Sequence, residues 1–277
     1  MPLAGAHAQK KKQPAPPPDP TAAASPWASQ REIQLRLVAA ESAVAKGTDA
    51  LAFGLHVRLE PGWKFYWRTP GDAGVTPDFD WSNSRNVGGI EVRWPTPERT
   101  VEAGLTSFVY HDEVVLPINV TLENKGQSAD LRLRLSYGVC REICIPYEHD
   151  LALALRPGKS APTPYADLLA RYAARVPADA STAGVEIEQI SVVGSALEIR
   201  LSAPSAFRPG MDLLIEGPEG VSFGAAQPVL LADGLEARWR LPVLPARGAV
   251  DLPGAPITLT LIDGPAALEA HGFVAEK

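Results

Sequence analysis

The sequence predicts an all-β protein of two β-sandwich domains joined by a short linker that contains a helix. Three observations carry this. From Glu32 onward, apolar residues recur at every second position, the spacing of a half-buried strand. Proline, glycine and asparagine close these runs at short intervals, as in sandwiches. The length of 277 residues suits about two domains.

The elements follow in order. Residues 1–30 read as a tail: Met1 to Ala8 resembles the end of a secretory signal, with Ala6-His-Ala8 as the cleavage site. Its charged and apolar leader regions are absent, so the start is expected to be assigned too late; the alternative is a chance match in an Ala-rich stretch. Lys10 to Lys12 and the prolines up to Pro20 form a tether without core-forming residues. The first domain is expected over residues 31–157. Ile33, Leu35 and Leu37 mark one strand; Leu51, Phe53, Leu55, Val57 and Leu59 mark a second, ended by Pro61-Gly62. Val114, Leu116, Ile118, Val120 and Leu122 mark a third. A last pair flanks the cysteines: Leu131, Leu133, Leu135 and Tyr137 before them, Ile145, Tyr147, Leu151, Leu153 and Leu155 after. The linker is expected over 158–183. Within it, Pro164 to Val176 puts Tyr165, Leu168, Leu169, Tyr172 and Val176 on one helical stripe, with Thr163 as its cap. Alternation resumes over 184–277, at Val185 and Ile187, Leu197 to Leu201, Leu235 to Leu241, and Ile257 to Leu261, the last strong strand expected.

The only two cysteines are Cys140 and Cys144. Three readings of so close a pair are open: a redox-active dithiol, a structural bridge, or half of a metal site. A bridge closing so short a loop stabilises by only about 2 kcal/mol, and a chain of this length buries an ample core without it. A closed zinc site needs four ligands, and no second Cys/His pair exists. Strand parity favours exchange chemistry. The inward residues on both flanks are odd-numbered and both cysteines are even, so both sulfurs should leave the core on one face of a hairpin. Arg141, Glu142 and Ile143 would form its loop, with the cysteines opposite each other at about 4.5–5.5 Å between Cα atoms, as in close antiparallel pairs. A bulge at Gly138 or Pro146 would flip that parity.

Four blocks then carry a family resemblance. They are Pro61-Gly-Trp-Lys-Phe-Tyr-Trp-Arg-Thr-Pro-Gly-Asp-Ala-Gly74, Trp94-Pro-Thr-Pro97, Val109-Tyr-His-Asp-Glu-Val-Val-Leu-Pro117 and Tyr137-Gly-Val-Cys-Arg-Glu-Ile-Cys-Ile-Pro146. In this order, over roughly residues 30–157, the chain resembles the amino-terminal periplasmic domain of the DsbD disulfide reductases and their ScsB relatives, which are linked to copper tolerance. The resemblance implies an immunoglobulin-like sandwich, so the fold expected is two immunoglobulin-like domains, the second resembling the extra domain of the ScsB branch. It implies that Cys140 and Cys144 are the catalytic pair, with Cys144 forming mixed disulfides. It implies a shielding or lining role for Tyr66, Phe108 and Tyr110. Val101 to Leu105 falls where the family has a cap loop. The implied partners are a membrane-embedded disulfide reductase and periplasmic thioredoxin-like proteins, including those of cytochrome c maturation. The spacing is that of the ScsB branch. The residues contain neither a membrane domain nor a thioredoxin module, so the reductant is expected on another polypeptide.

Other patterns point elsewhere. Gly220-Val-Ser222-Phe-Gly224 has the G-x-S-x-G form of a nucleophile elbow, but that motif needs a following helix, and a Gly-rich turn is expected instead. Trp63, Trp67, Trp81 and Trp94 are expected to pack rather than line a ligand groove. His111-Asp112-Glu113 reads as a solvated turn, and His56 as exposed on the polar face of its strand. Asp72 is a neighbour of the sulfurs at no defined distance. Arg141 is the only cation adjacent to the pair in sequence. The net charge of −6 disfavours a nucleic-acid partner, and no apolar run approaches a membrane span of about 18 residues. No metal or other cofactor is expected. The function expected is periplasmic thiol–disulfide exchange; the alternative is a non-catalytic binding module with a structural disulfide, related to copper tolerance.

Overall fold

The computed structural model describes residues 23–224, 228–245 and 252–276. The signal-like and lysine-rich segments in residues 1–22 lie outside them. The first unit opens with β1 (Ala28–Ser29), β2 (Ile33–Ala39) and β3 (Ala50–Leu59), followed by β4 (Lys64–Gly71), β5 (Asp78–Asp80) and β6 (Gly89–Val92). A short hairpin, β7 (Glu98–Glu102) and β8 (Leu105–Tyr110), leads to β9 (Glu113–Thr121). The long hairpin of β10 (Ala129–Cys140) and β11 (Cys144–Leu155) completes it. One sheet runs β1-β2-β3-β9-β6; the other runs β11-β10-β4-β8-β7, with β5 beside β10. The alternating residues of the sequence fill the space between the sheets: Leu35, Leu55, Leu116, Leu131 and Leu135 are fully buried. Each such leucine contributes about 1.5–3 kcal/mol relative to exposure.

Helix α1 (Ala166–Ala173) follows, shorter than the stripe from 164 to 176. It is not a free linker, because it packs on β3 and β9. Gly54 makes room for it: a Cβ there would lie 2.4 Å from Leu169 Cδ2. The Tyr172 hydroxyl donates to the Glu113 carbonyl at 2.8 Å. Tyr165 holds the N-cap position without a side-chain bond, and Thr163 caps the turn before it: its Oγ1 accepts from the Tyr165 N–H at 3.1 Å. The same hydroxyl donates to the Ala39 carbonyl at 2.6 Å, fastening the helix entry to β2.

The second unit comprises β12 (Ala178–Asp179), β13 (Glu186–Val193), β14 (Ala196–Ser202), β15 (Asp212–Glu216) and β16 (Val221–Phe223). It ends with β17 (Val229–Leu231), β18 (Glu236–Pro245), β19 (Pro256–Asp263) and β20 (Ala266–Phe273). Its sheets run β12-β20-β19-β15 and β13-β14-β18-β16, with β17 beside β18, around a separate core that includes Trp239, Leu197 and Leu259. The protein is thus all-β, two immunoglobulin-like sandwiches with one helix between them. β20 lies beyond the last strand expected. Its sequence, AALEAHGF, lacks large alternating side chains, and pairing along all of β19, with β12 on its other edge, holds it extended.

Four sequence expectations change. The tail does not extend to residue 30, because Ala24 bridges to Val38 and Ala28 and Ser29 pair with β2. Trp27 lies under the Arg36 guanidinium at 4.1 Å from its ring centre, and this stacking draws the segment onto the sheet. His56 is 1% exposed rather than open to solvent: Trp27 covers it and Glu113 Oε1 lies 2.8 Å from its Nε2. Glu113 is therefore part of a buried contact, not of a solvated turn. Ser222 stands in a strand paired with Leu244, so no elbow is present.

The units meet through ions. Arg68 of β4 binds Glu216, with Nη2–Oε1 at 2.6 Å, and also Glu269. Arg99 of β7 grips both carboxylate oxygens of Asp212, at 2.7 and 2.9 Å, and the Leu213 carbonyl. Leu214 of β15 is fully buried in the first unit's core cluster.

Candidate functional site

The register of β10 and β11 runs unbroken from Ala129 opposite Leu155 to Cys140 opposite Cys144. No bulge arises at Gly138 or Pro146, which face each other. Pro146 lacks an N–H, and β11 is an edge strand where none is needed. The loop is Arg141-Glu142-Ile143, closed by Arg141 N–H donating to the Ile143 carbonyl at 3.1 Å. Cys140 and Cys144 form a disulfide, with Cα atoms 4.1 Å apart. That is slightly closer than the antiparallel ladder alone predicts.

The two sulfurs are not equivalent. Both side chains leave the main core, as parity requires, but Cys140 is 3% exposed because Tyr66 and Val109 cover it in a small cluster of their own. Cys144 is exposed. The Tyr66 hydroxyl lies 4.0 Å from Cys144 Sγ. Burial, then the charge of Glu102, raises the Tyr66 hydroxyl above its usual range, so at neutral pH it keeps its proton and offers a donor to the sulfur.

Tyr66 is placed by alternation along β4. Phe65 and Trp67 turn into the main core, and Lys64, Tyr66 and Arg68 take the other face. The same rule separates the remaining expected lining residues. Tyr66 pairs with Val109, so Val109 shares its face, whereas Phe108 and Tyr110 point into the main core. Phe108 packs edge-on against Trp67, and Tyr110 donates to the Pro95 carbonyl at 2.6 Å. Neither lies in the cluster around the pair.

Residues 70–75 press onto Tyr66. Gly74 has φ +130°, and a Cβ there would sit 2.2 Å from the tyrosine ring. Gly138 leaves room for Val75, which a Cβ would meet at 2.7 Å. Asp72 fastens this loop rather than touching sulfur: its Oδ2 accepts from Thr106 N–H at 2.9 Å. The Ser107 hydroxyl donates to the Ala73 carbonyl at 3.0 Å.

Three neighbours of the pair were not singled out by sequence: Lys64, Glu102 and Val109. Lys64 stands opposite Cys140 in the ladder and is buried, its ammonium paired with Glu102. Glu102 belongs to the tip of the β7–β8 hairpin, in the 101–105 segment. The faint signal was Lys64 itself, two residues before Tyr66 on one face of a strand. Arg141 lies over the Trp63 ring at 5.4 Å. Val75, which lies against Gly138, and Ile143 of the hairpin loop are 40% and 67% exposed. An exposed sulfur in a disulfide whose partner sulfur is sheltered suits attack from one side by a thiolate.

Residues 34–156 match the family model described as "Thiol:disulfide interchange protein DsbD, N-terminal". Residues 175–277 match a domain of unknown function, DUF8393. No curated protein matches the sequence. Among solved structures, the N-terminal periplasmic domain of ScsB from Proteus mirabilis superposes with a TM-score of 0.75 at 23% identity, over 92% of this chain and 99% of that one. The reduced DsbD N-terminal domain from Neisseria meningitidis aligns over 45% of this chain and 88% of that one, at 18% identity and a TM-score of 0.25, too loose to bear on the fold.

Proposed function

On the premise that residues 34–156 belong to the DsbD N-terminal family, a thiol–disulfide exchange module, we propose that this protein relays electrons through Cys140 and Cys144 in the periplasm. A membrane-embedded reductase supplies the electrons, and thioredoxin-like proteins exchange with the pair. The single observation that carries the reading is the asymmetric disulfide: Cys144 exposed at the hairpin, Cys140 sheltered with Tyr66 and Val109. The exchange module is assigned to residues 31–157 together with the strand at 28–29. The segment 158–183 and the unit at 184–277 serve it as support.

The reaction proceeds in two balanced steps. The reduced Cys144 thiolate attacks a partner disulfide and releases one partner sulfur as a thiolate. Cys140 then attacks Cys144 Sγ, forming the Cys140–Cys144 bond and releasing the second partner sulfur. The pair loses two electrons and the partner gains them. Tyr66, at hydrogen-bond reach of Cys144, stabilises its thiolate.

Two measurements test this. Equilibration in glutathione buffers is expected to give a potential of about −180 to −270 mV, the range of exchange proteins; a value below about −300 mV marks an inert bridge and favours the binding-module reading. Cys140→Ser is expected to accumulate mixed disulfides through Cys144 with thioredoxin-like partners, and Cys144→Ser to abolish transfer. Absence of any adduct with Cys140→Ser would overturn the relay.

A further inference from the structure

A buried lysine is unfavourable unless its ammonium is paired. Lys64 is 8% exposed. Glu102, which holds it, has a side chain 65% exposed, so this pair does not need the interior. The placement of Lys64 in the ladder gives the burial another purpose. It stands directly opposite Cys140, and directly opposed residues of an antiparallel pair project to one side, with Cβ atoms about 4.5–5.5 Å apart. The charged and titratable groups around Cys140 are Lys64 and Tyr66 of β4, Glu102 of β7, and Cys144 and Arg141 of the hairpin.

We propose that Lys64 is a positioning residue for Cys140, stabilising the thiolate its buried sulfur must form to resolve the mixed disulfide. This rests on the exchange reading and adds the group that makes its second step run. In the disulfide neither sulfur is charged, and the ammonium stays with Glu102. After Cys144 has bonded to a partner sulfur, Cys140 is a thiol covered by Tyr66 and Val109. To resolve the adduct it must give its proton to solvent before its sulfur attacks Cys144 Sγ. The Cys140–Cys144 bond then forms, the Cys144–partner bond breaks, and the partner sulfur leaves as a thiolate. Burial opposes the loss of that proton, and a cation alongside favours it. Lys64 is that cation, and Glu102 competes with the thiolate for it. The two residues thus act on Cys140 in opposite directions.

The test uses the full reduced protein and Ellman's reagent as the disulfide probe. Attack by Cys144 releases the first coloured thiolate, and resolution by Cys140 the second. Lys64→Met is expected to slow the second release at neutral pH by roughly tenfold and to move its pH midpoint upward by about one unit, leaving the first release unchanged. Glu102→Gln is expected to move the same midpoint downward, and Lys64→Arg to keep it near the parent value. Glu102 lies at an exposed hairpin tip, so its variant decides the matter even where Lys64→Met impairs folding. Two releases with a midpoint unmoved by Glu102→Gln and Lys64→Met overturn the role of Lys64 while the exchange reading stands. A reduced parent protein that gives no second release overturns both.

Discussion

At His56 the burial of one ring nitrogen decides its charge. Its Nε2 donates to the Glu113 carboxylate at 2.8 Å, while Nδ1 is buried without a partner among the described residues. Protonation would turn Nδ1 into a buried donor with nothing to bind, a costly state. Burial accordingly pushes the imidazole below its usual range, although Glu113 pulls the other way, and Arg58 and Arg36 reinforce the fall. The unfolded histidine titrates near 6.5, so the unfolded chain takes up the proton first as pH falls. Stability from this site is therefore complete above about pH 6.5 and declines below it; each tenfold difference in proton affinity is worth about 1.4 kcal/mol. His56→Gln is expected to flatten the loss of stability between neutral pH and pH ~5 in urea titrations. An unchanged slope would show that His56 is charged in the fold. The sequence placed His56 on a polar strand face; the strand's own pattern did not show that Trp27 is brought over the ring from 29 positions away.

Among the elements, β4 and the loop after it organise the site. Alternation sends Phe65 and Trp67 inward and leaves Lys64, Tyr66 and Arg68 on one outer row, from the sulfurs at one end to the second unit at the other. The loop is drawn onto this row by Asp72 and Ser107, and Gly74 permits the contact. Gly74→Ala places a methyl group inside the Tyr66 ring at a φ that L-residues rarely adopt. It is expected to cost about 1–3 kcal/mol and to lift residues 72–75 from Tyr66. The check is alkylation after mild reduction, with faster reaction of Cys140 than in the parent protein; an unchanged rate would show that the loop does not shelter the pair. The hairpin was legible before the structure, because odd-numbered apolar residues on both flanks fix the parity of two even-numbered cysteines. Phe108 and Tyr110 point into the main core, since the parity of β8 depends on its pairing with β4, which no local pattern records.

For the whole molecule, the question is what keeps the two sandwiches together. Arg68 and Arg99 are each held by carboxylates of the second unit. These pairs are part-buried; removing Arg68 leaves Glu216 and Glu269 without their shared cation, and removing Arg99 leaves Asp212 unpaired, a cost between the small value of exposed pairs and the several kcal/mol of buried ones, about 2 kcal/mol for each. The strands that carry these arginines are β4, which also bears Lys64 and Tyr66, and β7, which also bears Glu102. Docking of the second unit therefore braces both strands that meet at the disulfide. The Arg68→Ala, Arg99→Ala double variant is expected to separate thermal unfolding into two calorimetric transitions and to make residues 158–183 sensitive to protease. A single transition at the parent temperature would show that the apolar contact of Leu214 suffices.

By itself, the sequence determined the all-β architecture, the cysteine hairpin and its outward face, because period-two burial and turn residues act over neighbouring positions. Tertiary structure alone decided that one sulfur is sheltered and the other open, that Lys64 and Glu102 meet beside them, that Trp27 closes over His56, and that α1 lies on the first sheet. Each of these depends on segments distant in the chain being packed face to face. Their pairing is chosen by the combined burial of both faces, which no single stretch of sequence specifies.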